Sequence, residues 1–571
     1  MDPIMEYLAP EAFTSRWAVY LSTVLVAPLI WTWVSCYVKA YWPSKGQPRM
    51  VPHIIPWIGN LYSLVFDITR FSARSRKRFP NEDIIKFTAA GKSCYVVTDP
   101  KLSSYIYRRQ TIFDFSAVSA LTMRMFGTPN VDAALVRKSF PEVLHTPDKN
   151  EIDDGTRIND EFRVGTPKFL GGANLAAMMA KFDNKLRHNI EHEFPKNKEG
   201  TPGEWQVVDF CEMAKRHFTL ASIPSLFGSR IMEVWPRVYE DLWEFDDHIF
   251  TLALSLPRLL NWKAWTARQR CLDGLVAWEQ AAVKGYPIEK AVSEDCDWDE
   301  FWGTRIIRAR HMTMMKNKIS PPGRASMHLG LLWGQNANAI PVGIWMMIQC
   351  LLDKKLETRL RSVIELYRTE AGDFDINGLV SNPLFKSFFL ETLRFSVASP
   401  GMRVVTETTE LGGYTIPRGS FIHIPGRELQ MDNKIWAPDG EELDPNQFHA
   451  ERFLDVDKRQ DDIPNEAGVD AAEQDHKSST EPLAVPAGTK SKEIRDRLQA
   501  LRPFGGGTHL CPGRHFAIQE AVVTLVVLLT TLDIEVDSDL LKQNGVPEPC
   551  LAKFGGLLPD RKFMVRIRRK Q

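Results

Sequence analysis

The stretch Phe504-Gly-Gly-Gly-Thr-His-Leu-Cys511-Pro-Gly513 precedes the apolar run RHFAIQEAVVTLVVLL, and it is the most informative part of this sequence. A glycine-rich turn here delivers a cysteine to the start of a buried helix. Unpaired amides and the positive end of the helix dipole stabilise an anion at such a position. Pro512 suits the first helical turn, because its missing N–H costs nothing there. The pattern therefore predicts Cys511 as a thiolate, the form in which cysteine ligates a soft metal.

Other roles exist for such a loop. A buried structural cysteine is the commonest role of a lone cysteine. A phosphate-binding loop is disfavoured, because no Gly-Lys-Ser/Thr follows the glycines. Gly505, Gly506 and Gly507 let the backbone adopt positive φ and approach a large flat partner closely.

Composition narrows the class of protein. The chain has 571 residues, 71 basic and 71 acidic side chains and 44% hydrophobic residues. This excludes a wholly disordered chain, a collagen-like fibre and a polytopic membrane protein. The net charge of zero gives no general attraction to nucleic acid, so we expect no nucleic-acid partner. Eight cysteines without a CxxC pair indicate a reducing compartment and no zinc site.

The amino terminus carries 22 uncharged residues from Trp17 to Val38, enough for a helix that crosses a bilayer. A secretory signal is the alternative, but its apolar region is shorter and ends in small residues. Acidic residues dominate before the span, whereas Lys39, Lys45 and Arg49 follow it, so the positive-inside rule leaves the rest of the chain in the cytosol. We expect a transmembrane anchor within residues 1–42 and one body over residues 43–571.

Helical periodicity dominates the body from about residue 170 to 400, and SCYVV at Ser93–Val97 is the clearest strand. The segment Ser326–Leu352 is apolar nearly all round and predicts a buried central helix, with a second membrane span as the alternative. Residues 454–500 lack aromatics and predict a solvated insertion. The fold class expected is mainly α with small β-sheets.

Charge is unevenly distributed along the chain. Residues 455–482 carry nine acidic and three basic side chains, whereas residues 490–514, around the cysteine loop, carry six basic and two acidic ones. Residues 561–571 add six basic side chains and no acid. The basic stretches predict a face for an acidic protein partner.

A second motif is Glu391-Thr-Leu-Arg394, whose charged residues share one helix face. It is followed by FHAERF, which contains Arg452. Together with the cysteine loop, these motifs closely resemble the cytochrome P450 family, in its membrane-anchored eukaryotic microsomal form. The resemblance covers roughly residues 45–571. The sequence as a whole is similar to those of fungal secondary-metabolite enzymes.

The resemblance implies a haem cofactor with Cys511 as the axial thiolate on iron. Phe504 would pack beneath the porphyrin, and Gly507 and Gly513 belong to the same loop. His509 and Arg403 would reach the haem propionates. Glu391, Arg394 and Arg452 would form a structural ion-pair cluster. The family's tryptophan–arginine propionate pair on an earlier helix is not visible in this sequence.

The central helix departs from the family pattern. Its stretch Trp333-Gly-Gln-Asn-Ala-Asn338-Ala339-Ile-Pro341 resembles the branch of cholesterol 7α-hydroxylase, oxysterol hydroxylases and prostacyclin synthase. Asn338 replaces the usual acid and Ala339 the usual alcohol, so a direct threonine proton relay is excluded. Either Asn338, Asn336 or ordered water relays protons, or the substrate is already a peroxide. Alternatively, the amides only accommodate the distortion before Pro341.

Three functions remain open at this point. The first is a monooxygenase that oxidises a bulky apolar sterol, terpenoid or indole terpenoid; the second is a haem-thiolate isomerase or dehydratase acting on a peroxide; the third is a non-catalytic haem carrier. For the first, the resemblance implies NADPH–cytochrome P450 reductase as electron donor, cytochrome b5 as an additional candidate, and an endoplasmic reticulum membrane location with a cytosolic catalytic domain. The distal pocket is expected from Val397–Met402, Phe245–Leu260 and Gly555–Pro559.

Overall fold

The computed structural model describes residues 10–55, 57–136, 157–196, 202–253, 256–437, 444–454, 497–553 and 555–570. Helices predominate. Those used to describe the architecture are α1 (Pro10–Tyr41), α2 (Leu61–Phe66), α3 (Ile68–Arg78), α4 (Pro100–Arg108), α5 (Ser116–Met125), α6 (Asn130–Val136), α7 (Arg157–Phe169), α8 (Gly172–Glu193), α9 (Phe210–Phe227), α10 (Arg230–Val234), α11 (Val238–Ala253), α12 (Trp262–Gly285), α13 (Ile288–Ser293), α14 (Arg305–Lys316), α15 (Pro321–Leu352), α16 (Lys354–Leu366), α17 (Ile376–Ser381), α18 (Pro383–Ser396), α19 (Gly426–Gln430), α20 (Asn433–Trp436), α21 (Arg514–Thr531) and α22 (Ser538–Asn544).

The strands are short and form small sheets. They are β1 (Ile84–Ala89), β2 (Lys92–Val97), β3 (Phe113–Asp114), β4 (Gln206–Asp209), β5 (Trp298–Asp299), β6 (Gly303–Thr304), β7 (Val397–Ala398), β8 (Pro400–Val405), β9 (Thr409–Leu411), β10 (Tyr414–Ile416), β11 (Phe421–Pro425), β12 (Leu532–Val536), β13 (Gly555–Gly556) and β14 (Met564–Arg569). The largest sheet has the order β1-β2-β11-β8-β3, and a second has the order β12-β14-β4. The predicted mainly α fold with small sheets is confirmed, and SCYVV lies in β2.

Helix α15 runs through the centre of the molecule. Ser320 caps its first turn, where the Ser320 hydroxyl accepts from the N–H of Gly323 at 3.2 Å. Asp132 of α6 fixes that cap by accepting from the Ser320 N–H at 2.8 Å. Trp345, Met346 and their neighbours are fully buried in the main core. The prediction of a buried central helix is therefore confirmed.

Helix α21, which follows the cysteine loop, packs against α15 within the same core. Its apolar residues are buried on nearly every side, because neighbouring helices cover them. The cysteine loop is thus joined directly to the most buried part of the molecule, and its geometry is set by that packing.

In the part of the chain that the structure describes, two helices are long and apolar enough to cross a membrane. Tyr20–Tyr41 has 6% of its apolar window buried, whereas Arg514–Thr531 has 78% buried and belongs to the protein core. The N-terminal apolar helix expected from the sequence is present. The central segment Ser326–Leu352 is enclosed by protein, so the alternative of a second span there is not supported.

The predicted insertion at residues 454–500 falls mostly outside the described residues, which omit 455–496. Described residues at its two ends belong to the core. Leu454, Leu498 and Ala500 are each less than 9% exposed. Leu498 and Ala500 pack with Trp436 and Phe453, and burial of this apolar cluster holds the returning chain in place.

Candidate active site

The cysteine loop is closed by a backbone hydrogen bond. The N–H of Cys511 donates to the carbonyl of Phe504 at 3.0 Å. Gly505 and Gly507 adopt φ values of +74° and +69°, which side-chain-bearing residues rarely tolerate. The loop can therefore turn tightly enough to place Cys511 immediately before α21.

The same glycines allow the loop to lie against the end of α4. A Cβ on Gly507 would be 2.0 Å from Nε2 of Gln110 and 2.5 Å from the carbonyl oxygen of Tyr107. A Cβ on Gly506 would be 3.0 Å from the Tyr107 ring. Glycine is required at Gly507 both for its backbone angle and for this close approach, which fixes the loop relative to the N-terminal part of the fold.

The protonation of Cys511 depends on competing effects. Burial raises the pKa of the Cys511 thiol above its usual value, while the N–H of Gly513 and the charge of Arg514 lower this pKa only in part. Burial therefore favours the thiol form of Cys511 over the thiolate that the sequence predicts. A metal ion bound at Cys511 would oppose this effect, because coordination to a metal deprotonates a thiol.

A cavity of about 450 Å³ lies between the cysteine loop and α15. Its lining is predominantly apolar, with a few polar groups. The residues that line it are Tyr107, Phe115, Thr166, Leu170, Met178, Leu226, Gly330, Leu331, Gly334, Gln335, Asn338, Ala339, Val342, Leu393, Val397, Ser399, Pro400, Gly401, Arg403, Arg502, Pro503, Phe504, Gly505, Gly506, His509, Cys511, Pro512, Gly513, Phe516, Ala517 and Gly556.

Two buried arginines face this cavity. Arg403 is 3% exposed and Arg502 is 9% exposed, and both guanidinium groups lie over the Tyr107 ring, with centroid distances of 4.9 and 5.6 Å. Within the described residues no carboxylate lies at ion-pair distance from either one, and Nε of Arg403 has no partner at all. Burial lowers the pKa of both groups.

Buried cations without a directly paired anion are costly, and among the described residues only the more distant charge of Asp114 offsets that of Arg403, so this arrangement favours a negatively charged ligand. A large flat group with two carboxylates and a metal ion that accepts a thiolate satisfies the donor set of Arg403, Arg502 and Cys511. Haem has this composition, and the residues present fit it. Sequence reasoning identified Arg403 but missed Arg502. Its position two residues before Phe504 was the available signal.

The remaining predicted cofactor residues lie at the same cavity. Phe504, Gly507 and Gly513 belong to the loop that carries Cys511, and Phe504 and Gly513 line the cavity directly. His509 lines it too, and its ring lies 4.7 Å from that of Phe115, with the two planes tilted by 40°.

The three predicted residues of the central helix differ in their placement. Asn338 and Ala339 line the cavity, whereas Asn336 does not. Asn336 is 1% exposed, and its Nδ2 donates to the carbonyl of Leu332 at 2.8 Å, within the helix. Asn336 therefore faces the interior of the fold. The hypothesis that it relays protons at the cavity is not supported by this geometry.

The predicted pocket segments are only partly correct. Val397, Ser399, Pro400 and Gly401 line the cavity, as does Gly556 from the C-terminal turn. None of the described residues of Phe245–Leu260 does so.

Helix α11 contributes to the core instead. Phe245 is completely buried, and Asp246 accepts a hydrogen bond from Trp333 Nε1 at 2.8 Å while pairing with Lys553 at 2.8 Å. These contacts hold α11 against α15 and the C-terminal segment and turn its apolar face away from the cavity.

Glu391, Arg394 and Arg452 form a fully buried ion-pair cluster beside the site. Nε of Arg394 lies 2.7 Å from Glu391 Oε2, and Nε of Arg452 lies 3.1 Å from Glu391 Oε1. The arginines also donate to carbonyl groups, among them those of Pro445 and Gln447. This places α18 and the segment around Arg452 in one rigid unit.

The basic stretch at residues 490–514 is less exposed than its sequence suggests. Arg497 and Arg502 are 6% and 9% exposed, so neither contributes to a surface patch. Arg514, next to the cysteine loop, is half-buried, and residues 490–496 lie outside the described residues. This stretch therefore loses two of its six basic charges to the interior.

A mainly helical fold, a cysteine loop before a core helix and buried arginines around one cavity define a haem-thiolate protein. Comparison with known proteins agrees. Residues 340–565 match the family model of cytochrome P450. This part of the chain is therefore similar to cytochrome P450, and the similar proteins include monooxygenases and a sterol 7α-hydroxylase.

The relatives cover most of the chain. A cytochrome P450 monooxygenase of Hormonema carpetanum is 29% identical, over 99% of this chain and 99% of its own length. A cytochrome P450 monooxygenase of Humicola fuscoatra is 26% identical, over 92% of this chain and 88% of its own. The 25-hydroxycholesterol 7-alpha-hydroxylase of Rattus norvegicus is 23% identical, over 58% of this chain and 72% of its own.

Proposed function

We propose that this protein is a cytochrome P450 that inserts one oxygen atom from dioxygen into a bulky apolar substrate, using electrons that a reductase delivers from NADPH. The observation that carries the proposal is the mostly apolar cavity bounded on one side by the Cys511 loop and on the other by α15. Such a cavity favours apolar ligands.

The haem would be held by groups already at the cavity. Cys511 would ligate the iron, and Arg403 and Arg502 would bind the propionates through charge-assisted hydrogen bonds. His509 would add a further donor beside Phe115. A haem with an axial thiolate supplies the activation of dioxygen for oxygen insertion. The protein's own contribution is to orient the substrate, exclude water and supply protons.

Proton supply differs here from a threonine-based relay, because Ala339 has no hydroxyl group. Asn338 is the polar side chain next to it at the cavity, and its Oδ1 accepts from the N–H of Gly556 at 3.2 Å. Protons would therefore reach the site through water held beside Asn338. The peroxide isomerase remains the second candidate function, and the absence of a hydroxyl at Ala339 is the observation that favours it.

The substrate class we propose is a sterol, a cyclic terpenoid or an indole terpenoid, within secondary metabolism. Leucine, methionine and valine side chains, among them Leu331, Val342 and Leu393, supply an apolar wall suited to a rigid hydrocarbon skeleton. The rat relative is named for the hydroxylation of 25-hydroxycholesterol, a sterol. Similarity to cytochrome P450 monooxygenases supports the oxygen-insertion reaction.

We propose that α1 anchors the protein in the endoplasmic reticulum membrane as a single span, with the catalytic part in the cytosol. Side chains such as Leu25, Ile30 and Trp31 are more than half exposed along α1, and a lipid bilayer would bury them. NADPH–cytochrome P450 reductase, with cytochrome b5 as an additional candidate, would dock near Arg514 and His515, where the loop brings Cys511 closest to the surface.

The test uses the full chain in lipid vesicles with haem, reductase and NADPH. Candidate sterols and cyclic terpenoids are supplied with isotopically labelled dioxygen, and products are analysed by mass spectrometry. A product that carries one labelled oxygen and requires NADPH supports the proposal. Rearrangement of a hydroperoxide without reductase, together with no labelled product, would establish the isomerase instead. Cys511→Ser is the control that should abolish either reaction.

A further inference from the structure

Strand β13 contacts the central helix at Asn338. The N–H of Gly556 donates to Asn338 Oδ1 at 3.2 Å, and both residues line the cavity. The strand itself is held by antiparallel pairing with β7, in which Gly555 faces Ala398 and Gly556 faces Val397. The hydrogen-bond donor that meets Asn338 is thus part of a fixed backbone.

Glycine is required at both positions of this strand. Gly555 has a φ of +84°, and a Cβ there would be 2.5 Å from Oδ1 of Asn338. A Cβ on Gly556 would be 2.7 Å from the backbone oxygen of Asn338. The backbone of Asn338 cannot rotate away from a Cβ on Gly556 as a side chain could. A side chain at Gly556 would therefore push the strand away from α15.

This contact determines the orientation of the Asn338 carboxamide. A backbone N–H can only donate, so the atom that faces Gly556 must be the carbonyl oxygen of the side chain. Nδ2 is then directed elsewhere. The structure gives Nδ2 no partner among the described residues.

No other side chain of α15 offers a free donor at the cavity, and every residue of this helix is among those described. Gln335 also lines the cavity, but its Nε2 donates to the carbonyl and hydroxyl oxygens of Ser222, both at 2.8 Å. Ala339 has no polar side-chain atom. Asn338 Nδ2 is therefore the donor that the helix leaves available.

We propose that Gly555 and Gly556 are positioning residues, which hold the Asn338 carboxamide so that Nδ2 donates to an acceptor atom of a ligand bound between α15 and the haem. The proposal rests on the proposed haem site, and Asn338 Nδ2 is the group that would contact such a ligand. Substrates or diatomic ligands with an acceptor atom at this place gain one hydrogen bond, and the rest of the wall offers apolar contacts.

Carbon monoxide bound to the reduced holoenzyme is the probe, and its C–O stretch is read by infrared spectroscopy. A donor to the bound ligand lowers this stretching frequency, so Asn338→Leu should raise it. Gly556→Ala should shift the band in the same direction or broaden it, because the carboxamide loses its anchor. Gly165→Ala is the matched control: it adds a methyl group to α7 outside the cavity lining, where the nearest neighbouring atom is Cε2 of Phe169 at 4.0 Å. Its band should stay near the wild-type frequency.

Asn338→Asp separates positioning from packing without disturbing the strand. The carboxylate can still accept from Gly556, but it donates only when protonated. Its C–O band should therefore move with pH, whereas the wild-type band should not. An unchanged band in Asn338→Leu, or a pH-independent band in Asn338→Asp, would overturn the proposal. Carbon monoxide binding needs no turnover, so a failure of the proposed monooxygenase reaction would be seen separately.

Discussion

The carboxylate of Glu391 binds the guanidinium of Arg452, 61 residues further along the chain, with Nε 3.1 Å from Oε1 and 3.2 Å from Oε2. Neither side chain is exposed to solvent. Because Arg394 binds the same carboxylate, one negative charge serves two buried cations. The backbone N–H of His449 also donates to Oε1, at 2.9 Å. The cluster therefore couples α18 to the segment that precedes the cysteine loop.

Removal of the shared carboxylate should be severely destabilising. Glu391→Gln leaves two buried guanidinium groups without an anion, and loss of one partner of a buried pair typically costs about 3–5 kcal/mol. The free energy of unfolding and the haem content of the purified protein are the measurements. The matched control is Lys542→Ala, which removes a pair exposed by 80% and 93% and should cost no more than about 1 kcal/mol. Equal effects of the two variants would contradict the structural role of the cluster.

Arg502 should contribute to haem retention as strongly as Arg403. Hydrogen bonds to charged groups contribute about 1.5–3 kcal/mol, so Arg502→Leu should accelerate haem loss about 10- to 100-fold. Transfer of haem to an excess of an apo-globin measures this rate. Arg427 is only half-buried; it donates to the carbonyl of Phe395 and does not line the cavity. If Arg502→Leu retained haem as well as the wild type, the assignment of Arg502 would be wrong.

Glu520 should remain protonated at neutral pH. Burial raises the pKa of this carboxyl to about 8, and the hydroxyl of Ser222, which donates to Oε1 at 2.6 Å, lowers that pKa only in part. A protonated carboxyl band in the infrared spectrum should be present at pH 6 and disappear in Glu520→Gln. The absence of such a band from the wild type at pH 6 would show that Glu520 is ionised there.

The same group makes stability depend on pH. In the unfolded chain Glu520 loses its proton near pH 4.5, whereas in the folded protein it keeps the proton to about pH 8. The contribution of Glu520 to the free energy of unfolding is fully present below pH 4.5. It falls by about 1.4 kcal/mol per pH unit as the pH rises from 4.5 to about 8. Glu520→Gln should thus gain stability relative to the wild type between pH 5 and pH 8, and the exposed Glu535→Gln should not. Chemical unfolding at several pH values tests this.

A histidine pair should make the protein sensitive to acid. His311 and His328 stack at 5.8 Å beside Trp302 and Trp278 in the core. Burial lowers the pKa of His311 to about 3, with a further contribution from the Arg324 charge, and lowers that of His328 as well.

Below about pH 6.5 the unfolded chain takes up protons that the folded pair cannot, so stability falls as the pH decreases toward 3. His311→Phe keeps an aromatic ring against Trp302 and should reduce this dependence by about 1.4 kcal/mol per pH unit. The unfolding free energy of both proteins between pH 7 and pH 5 is the measurement. Parallel curves would show that His311 titrates normally in the folded state.

The cysteine loop, the ion-pair cluster and the central helix were predictable, because each depends on residue types at fixed short spacing. Gly505 and Gly507 have the positive φ values that the loop requires, and the buried helix followed from its apolar circumference. The sequence could not show that burial outweighs the helix terminus at Cys511. That balance depends on how deeply the surrounding chain encloses the thiol.

Long-range packing accounts for the other errors. The basic stretch that contains Arg497 and Arg502 was expected at the surface, although the fold buries both side chains. Helix α11 was expected to line the pocket, but Asp246 accepts hydrogen bonds from Trp333 and Lys553 and holds the helix in the core. The contact between Gly556 and Asn338 joins residues 218 positions apart. No local pattern marks such a pair.

The central claim is that Cys511 supplies the thiolate that holds the haem iron. The most direct measurement is the absorption spectrum of the reduced full-length protein with carbon monoxide, compared with that of Cys511→Ser. We expect the wild type to show the spectrum typical of a thiolate-ligated haem and Cys511→Ser to lose it. A Cys511→Ser protein that retained the thiolate-type spectrum would contradict the account.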